Sequence, residues 1–247
     1  VGGGIPIIRP LYRCLKGEKI LEITGILNGT TNFILTKMDK EGASFETVLK
    51  EAQDLGYAER NPEADVEGYD TCRKIAILTS LASGNQVDFK DIYTEGITKV
   101  TAEDFAYAKK AGCAIKLLAV SKKQGDTYCV MVAPAFVRKE NPLYMVNDVF
   151  NAVCVEGNML GASMFYGSGA GKLPTASAVV GDMISAVRFG DEPEKIGWGS
   201  EELEVHKASE LPRKYFARFE GSRSEKKEIV EENLGKVKWK EKMNSRC

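Results

Sequence analysis

Histidine is nearly absent from this sequence, since the 247 residues contain one, His206. A Ser-His-Asp triad would need that histidine beside a nucleophile, and zinc sites normally use more than one imidazole, so both kinds of site are disfavoured. The six cysteines form no CxxC pair, which favours reduced thiols over disulfides or zinc. His206 itself lies in a charged stretch and is interpreted as a surface residue.

The chain also lacks an excess of either charge and any long apolar run. Its 34 Lys and Arg residues balance 35 Asp and Glu residues, so nothing predicts binding to nucleic acid or to an anionic membrane. No apolar run approaches the roughly 20 residues that a bilayer span needs, and the first residues lack the core of a secretory signal. A cytoplasmic protein with small-molecule chemistry is therefore expected.

Apolar residues are sufficient for one large domain or two small ones, since 43% of the chain is hydrophobic. The first residue is Val1 rather than Met. We therefore expect a fragment or a processed product, whose active site is shared with a segment that precedes Val1.

Hydrophobic periodicity and turn residues predict a mixture of helices and strands. The expected elements are a strand over 20–28, helices over 30–42, 44–55 and 68–83, a helix that begins at the capping box of Thr101, a hairpin around QGD at 124–126, strands over 151–157 and 162–167, and a helix from Pro174. This order predicts an α+β fold in which a mixed β-sheet is covered by helices.

The segment YAERNPEADVEGYDTCRK at 57–74 gathers five acidic residues before Arg73 and Lys74. Like charges this close repel one another, so the cluster lies in solvent, holds a cation or faces a positively charged partner. EADVEG at 63–68 copies the opening of a calcium loop, but Lys74 stands where the bidentate glutamate belongs. A carboxylate-based calcium or magnesium protein is therefore a weak alternative.

Asp70 and Lys74 are four residues apart on the predicted helix, on one stripe with Ile77 and Leu81, which we interpret as facing the core. Such a pair contributes about 0.2 to 0.5 kcal/mol and needs no function to exist. A lysine at the edge of an apolar stripe also loses its proton more readily than one in water, which suits proton transfer. The spacing leaves a structural and a functional role equally open.

Two glycine-rich stretches, VGGG at 1–4 and GSGAGK at 167–172, invite a phosphate-binding interpretation. Neither completes a fingerprint: Lys172 occupies the place of the third glycine of a dinucleotide motif, and Tyr166 that of the first glycine of a P-loop. The possibility that one of these stretches contacts a cofactor bound by another part of the protein stays open.

The acidic segment, GILNGTTNFILTKM at 25–38 and YGSGAGKLPTASAVVGD at 166–182 together resemble the homoserine dehydrogenases over residues 1–190. The likeness is closer to the monofunctional form than to fusions with aspartate kinase. It implies NAD(P)-dependent reduction of L-aspartate 4-semialdehyde to L-homoserine, a step of threonine, methionine and isoleucine biosynthesis. The implied partner is a small amino-acid substrate.

The resemblance also implies roles for individual residues. Lys74 matches the donor of a proton to the aldehyde oxygen, and Glu59 and Asp70 match the residues that hold the substrate. Other positions that line the substrate pocket match Tyr57, Asp65, Gly29 and Thr30. Gly56 and Gly171 match glycines beside the nicotinamide cofactor, NADP or NAD. Some relatives bind a monovalent cation through backbone carbonyls that match Val1, Gly3 and Ile5, with an acidic ligand that lies upstream of this chain.

In the family, a dinucleotide-binding domain with the glycine fingerprint and a second active-site lysine precedes VGGGIP. We therefore expect residues 1–165 to form a substrate-binding, catalytic and dimerisation domain, and residues 166–200 a glycine loop and a partly exposed helix that return to the missing domain. Residues 201–247 are expected to be a charged extension with a short strand at KYFARF, which puts feedback control by threonine in doubt.

The resulting expectation is a fragment that is inactive alone and that forms a homodimer or homotetramer through the sheet built from 113–165. The alternative is a binding or oligomerisation module that keeps the pocket without chemistry.

Overall fold

The computed structural model describes residues 1–190, 197–210, 214–219, 223–235, 237 and 239. The chain divides into two units, Val1–Glu210 and Leu211–Cys247. The helices of the first unit are α1 (Gly29–Glu41), α2 (Phe45–Asp54), α3 (Glu63–Val66), α4 (Tyr69–Ser83), α5 (Ala102–Lys110) and α6 (Lys172–Phe189). Its strands are β1 (Ile20–Ile26), β2 (Tyr93–Thr94), β3 (Cys113–Gln124), β4 (Thr127–Arg138), β5 (Phe150–Gly157), β6 (Gly161–Ser168) and β7 (Val205–His206).

These strands form one sheet in the order β2-β4-β3-β1-β5-β6, and β7 also pairs with β4. The pairs β2–β4 and β4–β7 are parallel, while the remaining pairs are antiparallel. The predicted α+β class with a mixed sheet is therefore confirmed. The predicted hairpin is β3–β4, in which Gln124 pairs with Thr127 and Gly125 takes the left-handed conformation that a two-residue turn requires.

Helices cover one face of the sheet and enclose the larger core. Ile34 of α1, Ile75 of α4 and Leu117 of β3 are among its fully buried members. On the opposite face a smaller cluster forms where Leu143 and Val146, at and just after the 3₁₀ turn Pro142–Met145, pack against the sheet. The sheet is thus covered fully on one side and partly on the other.

Local signals set the helix ends as the sequence predicted. Ser44 accepts a hydrogen bond from the Thr47 amide at the start of α2. Gly42 and Gly56, which follow α1 and α2, have φ of 66° and 76°. Because these signals involve residues within one turn of each other, they can be recognised without knowledge of the fold.

The predicted core-facing stripe of α4 is wrong. Thr71, Ile75 and Leu78 are the residues that meet the sheet, whereas Ile77 is 37% exposed. The two stripes differ by one residue, about 100° around the helix, and both carry apolar side chains. Periodicity cannot choose between them; the position of the sheet does. Asp70 and Lys74 consequently lie at the edge between core and solvent.

Helix α6 exposes much of its apolar surface, as the sequence analysis predicted. Met183 and Val187 are 62% and 87% exposed. On another side the helix is attached to the first residues of the unit, because Arg9 forms an ion pair with Asp182 at 2.7 Å and donates a hydrogen bond to Ser185 at 3.1 Å. Helix α6 is thus attached on one side and exposes apolar side chains on another.

The second unit contains α7 (Arg223–Leu234) in its described part, where the Trp239 indole donates to the Glu231 carboxylate at 3.1 Å. The strand predicted at KYFARF is wrong, since the structure gives no strand at 214–219. Strand propensity depends on a neighbouring strand to pair with, which a six-residue pattern does not reveal. Across all described residues, no helix has both the length and the apolar character of a membrane span.

Candidate active site

Lys74 and Asp70 lie one turn apart at the N-terminal end of α4. The Lys74 Nζ is 2.6 Å from the Asp70 Oδ2 and donates a second hydrogen bond, of 3.0 Å, to the carbonyl oxygen of Leu27, which follows β1. The two side chains are 28% and 32% exposed. The ammonium group is therefore held between a helix and a strand end, with access to solvent.

Asn28 completes this arrangement, although the sequence analysis did not identify it. Its Nδ2 donates to the Asp65 Oδ1 at 2.6 Å and to the Asp70 Oδ2 at 3.0 Å, while its Oδ1 accepts from the Thr31 amide. Asn28 is therefore both the N-cap of α1 and a bridge between two carboxylates. The available signal was an asparagine directly before a predicted helix, but that pattern indicates only the cap.

Burial, the largest cause, raises the pKa of Asp65, and the negative charges of Asp70 and Glu59 act in the same direction. The hydrogen bond from Asn28 and the charge of Lys74 oppose this shift. The group therefore contains more negative than positive charge at a partly buried position. A cationic ligand would relieve that imbalance, because an opposite charge favours the ionised form of a carboxylate.

The first turn of α1, at Gly29 and Thr30, borders the same group. The Thr30 hydroxyl donates to the Tyr57 carbonyl oxygen at 2.6 Å, and the Tyr57 ring meets Phe33 edge-on at 5.1 Å. The exposed Glu59 follows in the same loop, where its carbonyl accepts from Gln53. The structure thus brings together the Gly29–Thr30 turn, the loop at 56–59 and the carboxylates of the acidic segment.

The two predicted cofactor glycines are placed differently. Gly56 has a left-handed conformation directly before Tyr57, and a side chain added there would meet no atom within 4 Å. Gly171, with φ of 114°, precedes α6.

The glycine-rich stretches at 1–4 and 167–171 pack against each other. A side chain on Gly3 would overlap the Gly169 carbonyl, and one on Gly4 would come within 2.9 Å of the Ser168 carbonyl oxygen. Close backbone contact therefore explains several of the glycines that the sequence analysis considered for anion binding.

Asn151 is a second residue that the sequence analysis missed. Its Nδ2 donates to the Ile26 carbonyl oxygen at 2.9 Å, and its side chain lies directly behind Gly29 and Gly169. Only 3% of it is exposed. Asn151 thus holds the end of β1, the start of α1 at Gly29 and the glycine loop together. An amide inside the apolar stretch NAVCV needs a buried partner, and that need was the available signal.

The backbone carbonyls of Val1, Gly3 and Ile5 were predicted to bind a monovalent cation. The Ile5 carbonyl already accepts from the Ile7 amide at 2.9 Å, which leaves that oxygen one lone pair for a ligand. Within the described ranges, no group of three or more His, Cys, Asp or Glu side chains is placed to hold a metal. The three carbonyls of Val1, Gly3 and Ile5 fit a cation only with ligands from elsewhere.

A homoserine dehydrogenase family model matches residues 6–184. The chain is 52% identical over 191 residues to the homoserine dehydrogenase of Synechocystis sp., covering 76% of this chain and 44% of that protein. For the Bacillus subtilis enzyme the identity is 47% over 188 residues, with coverages of 76% and 43%. The chain therefore spans less than half of the length of these curated relatives.

Solved structures agree with the sequence matches. A homoserine dehydrogenase from Thiobacillus denitrificans superposes with a TM-score of 0.75 at 43% identity, over 77% of this chain and 44% of that one. A hyperthermophilic archaeal homoserine dehydrogenase in complex with NADPH superposes with a TM-score of 0.63 at 32% identity, over 78% of this chain and 55% of that one.

Proposed function

The chain belongs to the homoserine dehydrogenase family, and we propose that it is the substrate-binding and catalytic part of an enzyme that reduces L-aspartate 4-semialdehyde to L-homoserine with NADPH or NADH. The observation that carries this proposal is the position of the Lys74 ammonium, held between Asp70 and the Leu27 carbonyl beside further carboxylates. The proposal includes a nucleotide-binding part outside these 247 residues.

The carboxylates bind the substrate's α-ammonium group in this proposal. Asp70, Asp65 and Glu59 supply the negative charge that a partly buried ammonium requires, and charge-assisted hydrogen bonds fix its orientation. Asn28 keeps Asp65 and Asp70 apart and aligned. Gly29, Thr30 and Tyr57 form the adjacent wall, which the hydrogen bond between Thr30 and Tyr57 stiffens.

Lys74 is the proton donor. A nicotinamide cofactor, when bound, supplies the hydride that reduces the aldehyde carbon. Negative charge then develops on the aldehyde oxygen, and an ammonium group within hydrogen-bonding reach stabilises that charge and delivers a proton. Asp70, whose Oδ2 is 2.6 Å from the Lys74 Nζ, orients the ammonium group of Lys74.

Gly56 and Gly171 are the residues of this chain that we propose to lie beside the cofactor. Both have backbone conformations that favour glycine, and Gly171 opens the N-terminal end of α6, where amide groups and the helix dipole favour an anion. The carbonyls of Val1, Gly3 and Ile5 are proposed to contribute to a monovalent cation site that another segment completes. In this proposal, residues 1–165 carry the substrate site, and residues 166–200 return to the nucleotide-binding part. Residues 201–247 are a charged C-terminal extension. The enzyme is proposed to be cytoplasmic.

The test compares the chain alone with the chain joined to the N-terminal half of the Synechocystis relative. Mixed with NADPH and aspartate 4-semialdehyde, the chain alone is expected to show no turnover above background, and the joined protein is expected to oxidise NADPH. Turnover by the chain alone at the rate of the joined protein would contradict the fragment proposal. A folded joined protein that binds homoserine without turnover would favour a non-catalytic binding module.

We also propose that the chain forms homodimers through the face of the sheet that helices leave open. Met164 and Tyr166 of β6 are 38% and 53% exposed there, next to the half-buried Cys154 of β5. A partly apolar sheet face of this kind is typical of a protein interface.

Met164→Arg places a charge on this open face and is expected to weaken dimers at least tenfold, about 1.4 kcal/mol, because the charge loses water in the interface. Sedimentation velocity over a concentration series measures the change. Met159→Arg, at an 81% exposed position in the β5–β6 turn, is the matched control and should leave the dimer unchanged. A wild-type protein that stays monomeric at every concentration would refute this interface.

A further inference from the structure

Lys116 of β3 is buried to an extent that is unusual for a lysine, with 2% of the residue exposed. Its Nζ donates to the Val146 carbonyl oxygen at 2.5 Å, to the Asn147 Oδ1 at 2.9 Å and to the Asn32 Oδ1 at 3.4 Å. These three acceptors are neutral. The mechanism proposed above does not use this side chain, so its burial needs another explanation.

The charged groups that face Lys116 belong to two elements. Asp39 and Lys40 come from α1, and Asp148 from the segment after the 3₁₀ turn; the two carboxylates favour the ammonium form, while Lys40 disfavours it. Burial outweighs them and lowers the pKa of Lys116 to about 8. Fixed neutral oxygens, rather than a paired carboxylate, therefore hold the ammonium.

Segment 146–150, which Lys116 contacts, is also tied to α1. The Asn32 Nδ2 donates to the carbonyl oxygens of Val146, Asp148 and Phe150 at 3.2, 3.1 and 3.0 Å. One amide group has only two hydrogens for these three acceptors, so the donors of Lys116 are needed to satisfy the segment. Lys116 and Asn32 together orient the carbonyl groups of Val146, Asp148 and Phe150 toward their own buried side chains.

The same segment supports the turn that we propose as a wall of the substrate site. A side chain on Gly29 would come within 2.8 Å of the Val149 carbonyl oxygen, so the backbone of the turn lies directly against segment 146–150. On its other side the turn is fixed by the bond from Thr30 to Tyr57. Any shift of Val149 would therefore be transmitted to Gly29.

We propose that Lys116 is a positioning residue for the substrate site: acting through Asn32 and segment 146–150, it sets the position of the Gly29–Thr30 turn and thereby the affinity for the amino-acid substrate. The part of this inference that concerns substrate affinity rests on the proposed function. The part that concerns the turn rests on the contacts alone. A methionine of similar length would leave the Val146 and Asn147 oxygens short of a donor, and the segment would move to recover hydrogen bonds.

Amide hydrogen exchange, followed by NMR at pH 7, tests the contact part. In Lys116→Met, protection is expected to fall about tenfold or more at 147–150 and 29–31, while the distant β3–β4 turn keeps its protection, because the opening is local. Lys122→Met is the matched control, since Lys122 is on the same strand but exposed and paired with Glu22 at 3.0 Å. Unchanged protection at 29–31, or an equal loss throughout the unit, would overturn the inference.

A pH titration separates a positioning role from a merely structural one. The amide shifts of Gly29 and Thr30 in the wild-type chain should change with a midpoint near pH 8, where Lys116 loses its proton. Lys116→Met should lack that step, and its persistence there would overturn the inference. If Lys116→Met does not fold, Asn147→Ala, which removes one of the acceptors, should loosen the same residues to a smaller extent.

The affinity part is tested in the joined protein with homoserine as substrate. Lys116→Met is expected to raise KM about tenfold with kcat changed less than twofold, since the turn contributes to binding rather than to proton transfer. If wild-type protein turns over homoserine and the variant has the same KM, the positioning role is wrong. If wild-type protein neither binds nor turns over homoserine while the exchange results hold, the proposed function fails and the coupling of Lys116 to the turn stands.

Discussion

Lys74→Met in the joined protein is expected to lower kcat by about 10²- to 10⁴-fold, the usual effect of removing a general acid. Methionine keeps the length and apolar character of the side chain, so α4 should fold unchanged. What is lost is the proton donor and the positive charge beside the developing oxyanion. Steady-state kinetics in the direction of NADPH oxidation measure the loss.

Substrate affinity should change far less in this variant. The carboxylates proposed to bind the α-ammonium, Asp65 and Glu59 among them, remain in place, and Asp70 loses a competing cation. KM is therefore expected to stay within about tenfold of the wild-type value, which separates proton transfer from binding.

Arg73→Met is the control for Lys74→Met. Arg73 is the neighbouring cation, it is exposed, and its guanidinium stacks over the Phe89 ring at 5.4 Å. Losing it should leave kcat within about twofold, as is usual for a surface change away from the site. A Lys74→Met enzyme with near wild-type kcat would instead mean that Lys74 is a helical ion-pair partner of Asp70.

Asp70 and Lys74 have partners beyond each other in the structure. From spacing alone, a structural and a functional role were equally open. An isolated, exposed ion pair on one helix contributes little to stability. Here Lys74 also reaches the Leu27 carbonyl and Asp70 also accepts from Asn28, so both members are tied to the end of β1. These contacts across elements support the functional role that we propose for the pair.

Local features of the fold were predictable, while contacts across the sequence were not. The Ser44 cap, the Gly42 stop and the turn at Gly125 depend on neighbouring residues, and each was predicted where the structure has it. The side-chain NH2 groups of Asn28, Asn32 and Asn151 donate to partners that are at least 37 residues away. These three asparagines therefore connect distant parts of the chain, and composition gave no sign of it.

The face of α4 illustrates the same limit. Two neighbouring stripes of the helix both carry apolar residues, and the sequence analysis chose the one with Ile77. The sheet meets the other, with Ile75 and Leu78. That rotation by one position keeps Asp70 and Lys74 accessible, which the proposed chemistry needs. The stripe that was wrongly predicted to face the core thus carries the two residues that must be accessible to a substrate.

Gly169→Ala is expected to lower the free energy of unfolding by about 2–4 kcal/mol, a large effect for a single methyl group. The new Cβ would overlap the Asn151 side chain, with 2.6 Å to its Cγ, and Asn151 cannot move without breaking its bond to the Ile26 carbonyl. Gly169 is not among the residues with positive φ, so the cost comes from this overlap and not from backbone strain. Urea unfolding followed by circular dichroism measures it.

Gly17→Ala provides the matched control, because a Cβ at this position meets no atom within 4 Å and Gly17 has no positive φ. Its free energy of unfolding is expected to stay within about 0.5 kcal/mol of the wild-type value. Adding Asn151→Ala to Gly169→Ala tests the mechanism, since the two changes share one contact and the double variant should lose less than the sum of the two single losses. Strict additivity, or a Gly169→Ala protein as stable as the control, would show that the glycine is not required for this packing. The loop would then regain the interpretation that its pattern first suggested, contact with a cofactor that is held elsewhere.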